Sequence, residues 1–355
     1  MINIIIWGKI PLGVMKRGKK MKIKLIATGG TIAMRKDPLG KAVPAVTGHD
    51  LLESIPQLKE EAFWEVEEFS NLASCNFSPE RMLDLAKVVN GAFSDPGLQG
   101  IIITHGTDTL EETAYFLDLT VKDTRPVILT ASQRDASERD SDGPRNLYNA
   151  MRIALDPQAK ERGVLIALNE EIHAARDVRK LHTSHVDAFS SGELGSLGSI
   201  DNDEVIWHRK PEPTVKFALP TQLAKVIICK AYTGMEARTL EAMVDSQVRG
   251  IVIEAFGRGN LPPEVVPAVS HLTAQGMPVV ITSRCLFGRT SPQYGYPGGG
   301  ADLQQKGAIF AGDLSTEKVR LLLSIALGLG KPLQEIKDIL SRGGVKQTRL
   351  NSPAI

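Results

Sequence analysis

The stretch Ile101-Ile102-Ile103-Thr104-His105-Gly106-Thr107-Asp108-Thr109-Leu110-Glu111-Glu112 decides the fold. Three consecutive β-branched apolar residues predict a strand buried on both faces, the condition of strands in parallel sheets. His105-Gly106 predicts a tight turn. Thr109, with Glu112 three residues on, has the pattern of a capping box that opens a helix. A second stretch, Lys24-Leu25-Ile26-Ala27-Thr28-Gly29-Gly30-Thr31-Ile32-Ala33, repeats the scheme: an apolar run, then hydroxyls on a glycine turn. Ligands in open α/β sheets sit beyond the carboxyl ends of strands, where both turns fall.

Outward from these two units, strands are expected at 23–27, 100–104, 126–130 and 163–168, and helices at 50–54, 79–89, 110–119 and 145–153. Alternation of this kind predicts an N-terminal α/β domain with a parallel-type sheet flanked by helices, over residues 21–201. Residues 202–221, polar and carrying Pro211, Pro213 and Pro220, are expected as a linker. A smaller C-terminal α/β domain, 222–355, follows, with strands at 225–229, 250–254 and 278–282. Its helices are expected at 236–244, 263–275, 316–327 and 333–340. Tyr294 to Gly300 reads as a flexible loop.

A length of 355 residues accommodates two domains, and 42% hydrophobic with 23% charged residues is the composition of a globular protein. A formal net charge of +1 leaves no electrostatic footprint for nucleic acid. No apolar run approaches the ~20 residues that span a bilayer. Cys75, Cys229 and Cys285 are odd in number and widely spaced, which argues against a disulfide framework or a structural zinc site and fits a reducing compartment. Residues 1–20 place the apolar Ile4–Trp7 before Lys16, Arg17, Lys19 and Lys20, the reverse of a secretory signal. They are expected as a poorly ordered extension, and the cytoplasm as the compartment.

A threonine hydroxyl is a poor nucleophile until a base takes its proton, and a desolvated lysine can serve. Thr31, Thr107 with Asp108, and Lys180 in Arg176-Asp177-Val178-Arg179-Lys180 supply such groups. A lone threonine in a glycine-rich turn is more often a cap; two at strand ends argue for a site. Gly29-Gly30 lacks the spacing of a dinucleotide fingerprint, and no phosphate loop is present. His182 and His185 lie in polar loop sequence with no metalloprotease spacing and read as solvated. Cys75 has no neighbouring base.

The motifs Ala27-Thr28-Gly29-Gly30-Thr31-Ile32-Ala33 and Thr104-His105-Gly106-Thr107-Asp108-Thr109-Leu110-Glu111-Glu112 resemble the two signatures of bacterial-type L-asparaginases. The resemblance continues through Asp142–Ala150, Arg176–Lys180 and Gly259-Asn260-Leu261, from Lys22 onward. It implies a flavodoxin-like N-terminal domain, no metal or cofactor, and hydrolysis of L-asparagine to L-aspartate and ammonia through a threonine acyl-enzyme, with weak glutaminase activity at best. It implies Thr31 as nucleophile, and Thr107, Asp108 and Lys180 as a triad in which Lys180 takes the Thr107 proton. Asp108 would also hold the substrate's α-amino group and Ser74 its α-carboxylate, with Gly30, Cys75 and the Ser132 backbone around the amide. Asn260 would be donated to a neighbouring subunit, implying a homodimer or homotetramer.

The sequence departs from the family pattern around the substrate. No tyrosine precedes Tyr115, so the usual lid tyrosine after the first signature is absent, with Tyr294 or Tyr296 as alternative sources of its ring. Cys75 replaces a frequent glutamine, Ala131-Ser132-Gln133-Arg134 replaces Gly-Ala-Met-Arg, and Gly295–Gly300 lacks a glutamate found in dual asparaginase–glutaminases. Turnover of another small amide (glutamine or D-asparagine), or amino-acid binding without turnover, are the competing expectations.

Overall fold

The computed structural model describes residues 20–346. The expectation for residues 1–20 therefore lies almost wholly outside the described residues. Eight strands form the first sheet: β1 (Met21–Gly29), β2 (Ala62–Leu72), β3 (Leu98–Thr104), β4 (Val127–Thr130), β5 (Val164–Leu168), β6 (Glu171–Ala174), β7 (Gly198–Asp201) and β8 (Glu204–Trp207). Their spatial order is β8-β7-β6-β5-β4-β3-β1-β2. The five strands β2-β1-β3-β4-β5 are parallel, and this order is the flavodoxin-like one, whose switch point lies between β1 and β3. Ile101, Ile102 and Ile103 of β3 are fully buried, as the unbroken apolar run requires.

The longer helices that cover this sheet are α1 (Pro79–Ala92), α2 (Leu110–Thr120) and α3 (Gly143–Leu155), and the short helices Gly48–Glu53 and Pro56–Glu61 lie against β2. Ser78 caps α1 through its hydroxyl, which accepts from the Arg81 amide, and Pro79 sits at the first helical position.

Two features of the first domain differ from the expectation. The sheet is mixed, because β6, β7 and β8 add antiparallel strands beyond β5. Both hairpins use two-residue turns with positive φ, Asn169-Glu170 (48° and 63°) and Asn202-Asp203 (47° and 63°). The second hairpin carries β8 into the stretch expected as linker. The sheet thus runs on to Trp207, whose indole donates to Asp156 (3.0 Å) under the Arg162 guanidinium.

Strand β2 was not anticipated. It lies at the sheet edge and alternates Phe63, Trp64, Val66 and Phe69 with Glu65, Glu67 and Glu68. Lys22 and Lys24 of β1 meet Glu65 and Glu67 across the ladder at 2.6 and 2.7 Å.

The second domain holds a parallel four-stranded sheet: β9 (Lys225–Lys230), β10 (Val248–Ala255), β11 (Val279–Ser283) and β12 (Ile309–Phe310), in that order. Helices α4 (Val266–Ala274), α5 (Thr316–Gly328) and α6 (Leu333–Ser341) pack around it. One apolar cluster joins the domains, running from Tyr115, Phe116 and Leu119 of α2 to Val319, Leu322 and Leu323 of α5. The glycine run expected as a flexible loop is packed: a Cβ on Gly298 would stand 2.3 Å from the Leu261 carbonyl oxygen. Helical structure resumes at Gly300.

Candidate active site

The site is built at the switch point. Strand β1 ends in Gly29 and Gly30, both in the left-handed region with φ of 105° and 86°. Gly30 donates its amide to the Leu72 carbonyl (2.9 Å). A Cβ on Gly30 would lie 2.3 Å from the Gly106 Cα and amide nitrogen, so the two glycine turns touch backbone to backbone. Thr28 donates to the Thr104 carbonyl (2.8 Å), fastening the ends of β1 and β3 together. Thr31 follows at once, opening a single 3-10 turn. Among the described residues its hydroxyl takes no hydrogen bond.

The turn after β3 is held from beneath. His105 is wholly buried, its Nδ1 2.8 Å from the Gly106 carbonyl and its Nε2 3.1 Å from the Thr113 hydroxyl, with Phe77 packed edge-on. Burial lowers its pKa to about 4, so the ring is neutral at physiological pH. Thr107, buried, presents its hydroxyl to the Lys180 ammonium at 2.8 Å, and the same Nζ meets Asp108 Oδ1 at 2.9 Å. Lys180 lies on a short antiparallel ribbon, Arg179–Lys180 paired with Phe189–Ser190. Lys180 is largely buried, whereas Asp108 turns an exposed carboxylate outward.

Ser74 stands on a 3-10 turn after β2 and is buried. Its Oγ accepts from the Asp108 amide (3.2 Å), and its carbonyl accepts from the Thr109 hydroxyl (2.9 Å). This contact corrects the capping box expected at Thr109 and Glu112. Thr109 makes no cap, because Ser74 takes its hydroxyl, and Glu112 pairs with Arg320 (3.2 Å) instead. Cys75, beside Ser74, is an exposed free thiol. Ser132 is wholly buried with its hydroxyl donated to the Arg134 carbonyl (2.7 Å). Gly143 links this loop to the first turn: its Cβ would stand 3.0 Å from Ile32 and 3.5 Å from Ser132.

The structure therefore joins Gly30, Ser74, Thr107, Asp108 and Lys180 through direct contacts, with Thr31, Cys75 and Ser132 on the adjoining backbone. Among the described residues Asn260 is not joined to them by any hydrogen bond. It sits in the second domain after β10, its side-chain oxygen accepting from the Gly300 amide (3.2 Å). Tyr294 and Tyr296 are exposed in the same domain, their rings 5.7 Å apart. A hairpin, Met34–Lys36 with Ala42–Pro44, follows Thr31 and anchors to the 136–138 loop through Ala136 N to Met34 O (2.9 Å). The sequence reading did not anticipate this hairpin; the Asp37–Gly40 turn was its signal, with Asp37 Oδ1 accepting from the Leu39 and Lys41 amides. His182 and His185 stack on each other at 3.4 Å in an exposed loop. Among the described residues no group of three or more His, Cys, Asp or Glu is arranged to hold a metal ion.

The two threonine-bearing turns pack together, and Lys180, from a separate ribbon, bonds to the second of them; comparison with known proteins identifies the family. The family described as Asparaginase, N-terminal matches residues 22–213, and Glutaminase/Asparaginase C-terminal domain matches residues 225–340. An L-asparaginase of Bacillus licheniformis is 38% identical over 318 residues, covering 89% of this chain and 98% of the relative. L-asparaginase 2 of Escherichia coli is 36% identical, with 90% and 92% covered. The crystal structure of a probable cytoplasmic L-asparaginase from Campylobacter jejuni superposes with a TM-score of 0.82 at 34% identity, covering 91% of this chain and 99% of that one. Sequence, fold and site geometry agree, and the chain belongs to the asparaginase family.

Proposed function

We propose that this protein is an L-asparagine amidohydrolase, giving L-aspartate and ammonia, with Thr31 as the nucleophile. The observation that carries the reading is the Lys180 Nζ held between Thr107 Oγ1 (2.8 Å) and Asp108 Oδ1 (2.9 Å), on a turn whose Gly106 packs directly on Gly30. In acylation the Thr31 oxygen bonds to the amide carbon. The C–N bond breaks, and ammonia departs with the proton that the hydroxyl gave up. Water then attacks the ester, releasing aspartate and restoring the hydroxyl. Lys180 in its neutral form takes the proton of Thr107 as the Thr107 oxygen takes one from the attacking hydroxyl or water, the proton passes back to the leaving group, and Asp108 orients the lysine. The exposed face of the Asp108 carboxylate suits the substrate's α-ammonium. Ser74 suits the α-carboxylate, and backbone amides of the glycine turns suit the tetrahedral oxyanion.

Supporting the reading further, the Thr31 hydroxyl takes no hydrogen bond among the described residues, as suits a nucleophile. An assembly of two or four chains, with Asn260 reaching a neighbour's site, is part of the proposal and is supported by the family to which the chain belongs. Cytoplasmic residence is part of the proposal, supported by three free cysteines. The test is ammonia release with asparagine and glutamine side by side. Asparagine should give the larger kcat/KM, and Thr31→Ala should abolish turnover without lowering the thermal midpoint. Near-normal turnover in that variant would overturn the assignment.

A further inference from the structure

Lys318 breaks the ordinary rules of helix and core design. It is the third residue of α5, close to the positive end of the helix dipole, where a cation is disfavoured. It is also almost completely buried (1% exposed) against the Tyr115 ring, 6.0 Å from its centroid. A methionine or leucine would fill such a place at lower cost. Departures of this kind concentrate at functional positions.

Its partners show where the ammonium acts. The Nζ donates to the carbonyls of Arg176 (2.9 Å) and Val178 (2.5 Å), four and two residues before Lys180. Glu111, on the first turn of α2, accepts the Lys180 backbone amide through Oε2 at 2.6 Å. Glu111 is also the foremost of the charges that favour the Lys318 ammonium, against burial that pushes it down to about 8. Burial in turn raises the Glu111 carboxyl, with the Lys318 charge the main opposing influence. The segment 176–180 is therefore gripped on its carbonyl side by one domain and on its amide side by the other. Arg176 completes the seam by meeting Asp313 (2.7 Å) and the Gly343 carbonyl (3.2 Å).

We propose that Lys318 is a positioning residue for the reaction, through which the smaller domain sets the height of Lys180 relative to Thr107. It does so by fixing the Arg176 and Val178 carbonyls while Glu111 fixes the Lys180 amide. The inference rests on the role given to Lys180 above. It makes domain docking part of the catalytic geometry: displacing the segment by about 1 Å lengthens the Lys180–Thr107 contact out of hydrogen-bond range, a change of the kind that costs around a hundredfold in rate.

The experiment compares Lys318→Met, Lys318→Gln and Lys180→Met in the full chain. Competent sites are counted by calorimetric titration with aspartate, the proposed product. Lys318→Met should lose about a hundredfold in kcat per aspartate-binding site, with KM and the aspartate Kd within threefold of the parent. Lys318→Gln keeps an amide donor to one carbonyl and should recover part of that loss. A purely structural tie behaves differently: the thermal midpoint and the number of competent sites fall, but kcat per site stays within threefold, and that result overturns the inference. Should Lys318→Met fail to fold, Lys318→Gln decides alone, with a kcat per site within threefold of the parent counting against the inference. Full activity in Lys180→Met would instead overturn the underlying catalytic reading, whereas an inactive Lys180→Met beside a normal Lys318→Met sinks only the inference.

Discussion

The two glycine turns at the switch point carry the same residue types but are built to different standards. The Thr107 turn is wired from every side. Ser74 accepts from the Asp108 amide, His105 bonds the Gly106 carbonyl, and Lys180 holds the Thr107 hydroxyl. The Thr31 turn is fixed at its base, through Gly30 against Gly106 and the Leu72 carbonyl and through the Thr28 hydroxyl on the Thr104 carbonyl, while the Thr31 hydroxyl itself is bonded to none of the described residues; it leads into a hairpin whose tip residue Leu39 is 80% exposed. A proton-transfer group must be preorganised, because its orientation is its function. A nucleophile must instead be unpaired and reachable. The difference between the turns follows from that division of labour.

The contrast can be broken first at Thr31. Thr31→Ala removes no hydrogen bond among the described residues, so its thermal midpoint should match the parent within about 2 °C while ammonia release falls by at least about a thousandfold. A large loss of stability would show that the first turn is also wired. Next is Gly30→Ala. Its methyl meets the Gly106 backbone at 2.3 Å and demands a φ of 86° from an L-residue, so the turns must separate. Urea unfolding should show a loss on the order of 2–4 kcal/mol, with kcat/KM down by about a hundredfold.

The third prediction concerns the wiring beneath the second turn. The folded-state pKa of His105 is lowered from 6.5 to about 4, so between these values the unfolded chain binds the extra proton. Its contribution to stability is complete above about pH 6.5 and is lost as pH falls toward 4, in total about 3 kcal/mol. Denaturant titrations at pH 7 and pH 4.5 should show this slope, and His105→Asn should flatten it. The smallest effect belongs to the hairpin. Asp37→Ala removes the acceptor for the Leu39 and Lys41 amides in an exposed turn. It should leave the global midpoint within about 1 °C and kcat within twofold, with KM for asparagine raised about two- to threefold.

Much of this was legible in the chain. The runs Leu25-Ile26-Ala27 and Ile101-Ile102-Ile103 announce strands covered on both faces, and Ser78-Pro79 starts a helix where Ser78 caps it. Strand β2 escaped because at a sheet edge its acidic residues alternate with aromatics and are satisfied by lysines on β1. Asn202-Asp203 has the polarity of a linker in the sequence, whereas in the fold its positive φ pair makes it the turn of the hairpin to β8. Thr109 misled for a similar reason: its local pattern is that of a cap, and a residue 35 positions away claims its hydroxyl.

Period, turn residues and apolar runs are local properties of the chain, so the alternation of strand and helix, the two hydroxyl-bearing turns and the lysine segment can be read from it directly. The contact of Gly30 with Gly106, the reach of Lys180 to Thr107 across 73 positions, and the grip of Lys318 and Glu111 on the backbone around it from opposite domains arise only in the folded chain. Those contacts depend on which strands lie side by side and how two domains dock. Local patterns do not encode such distances, because burial and backbone approach are set by the whole packed core.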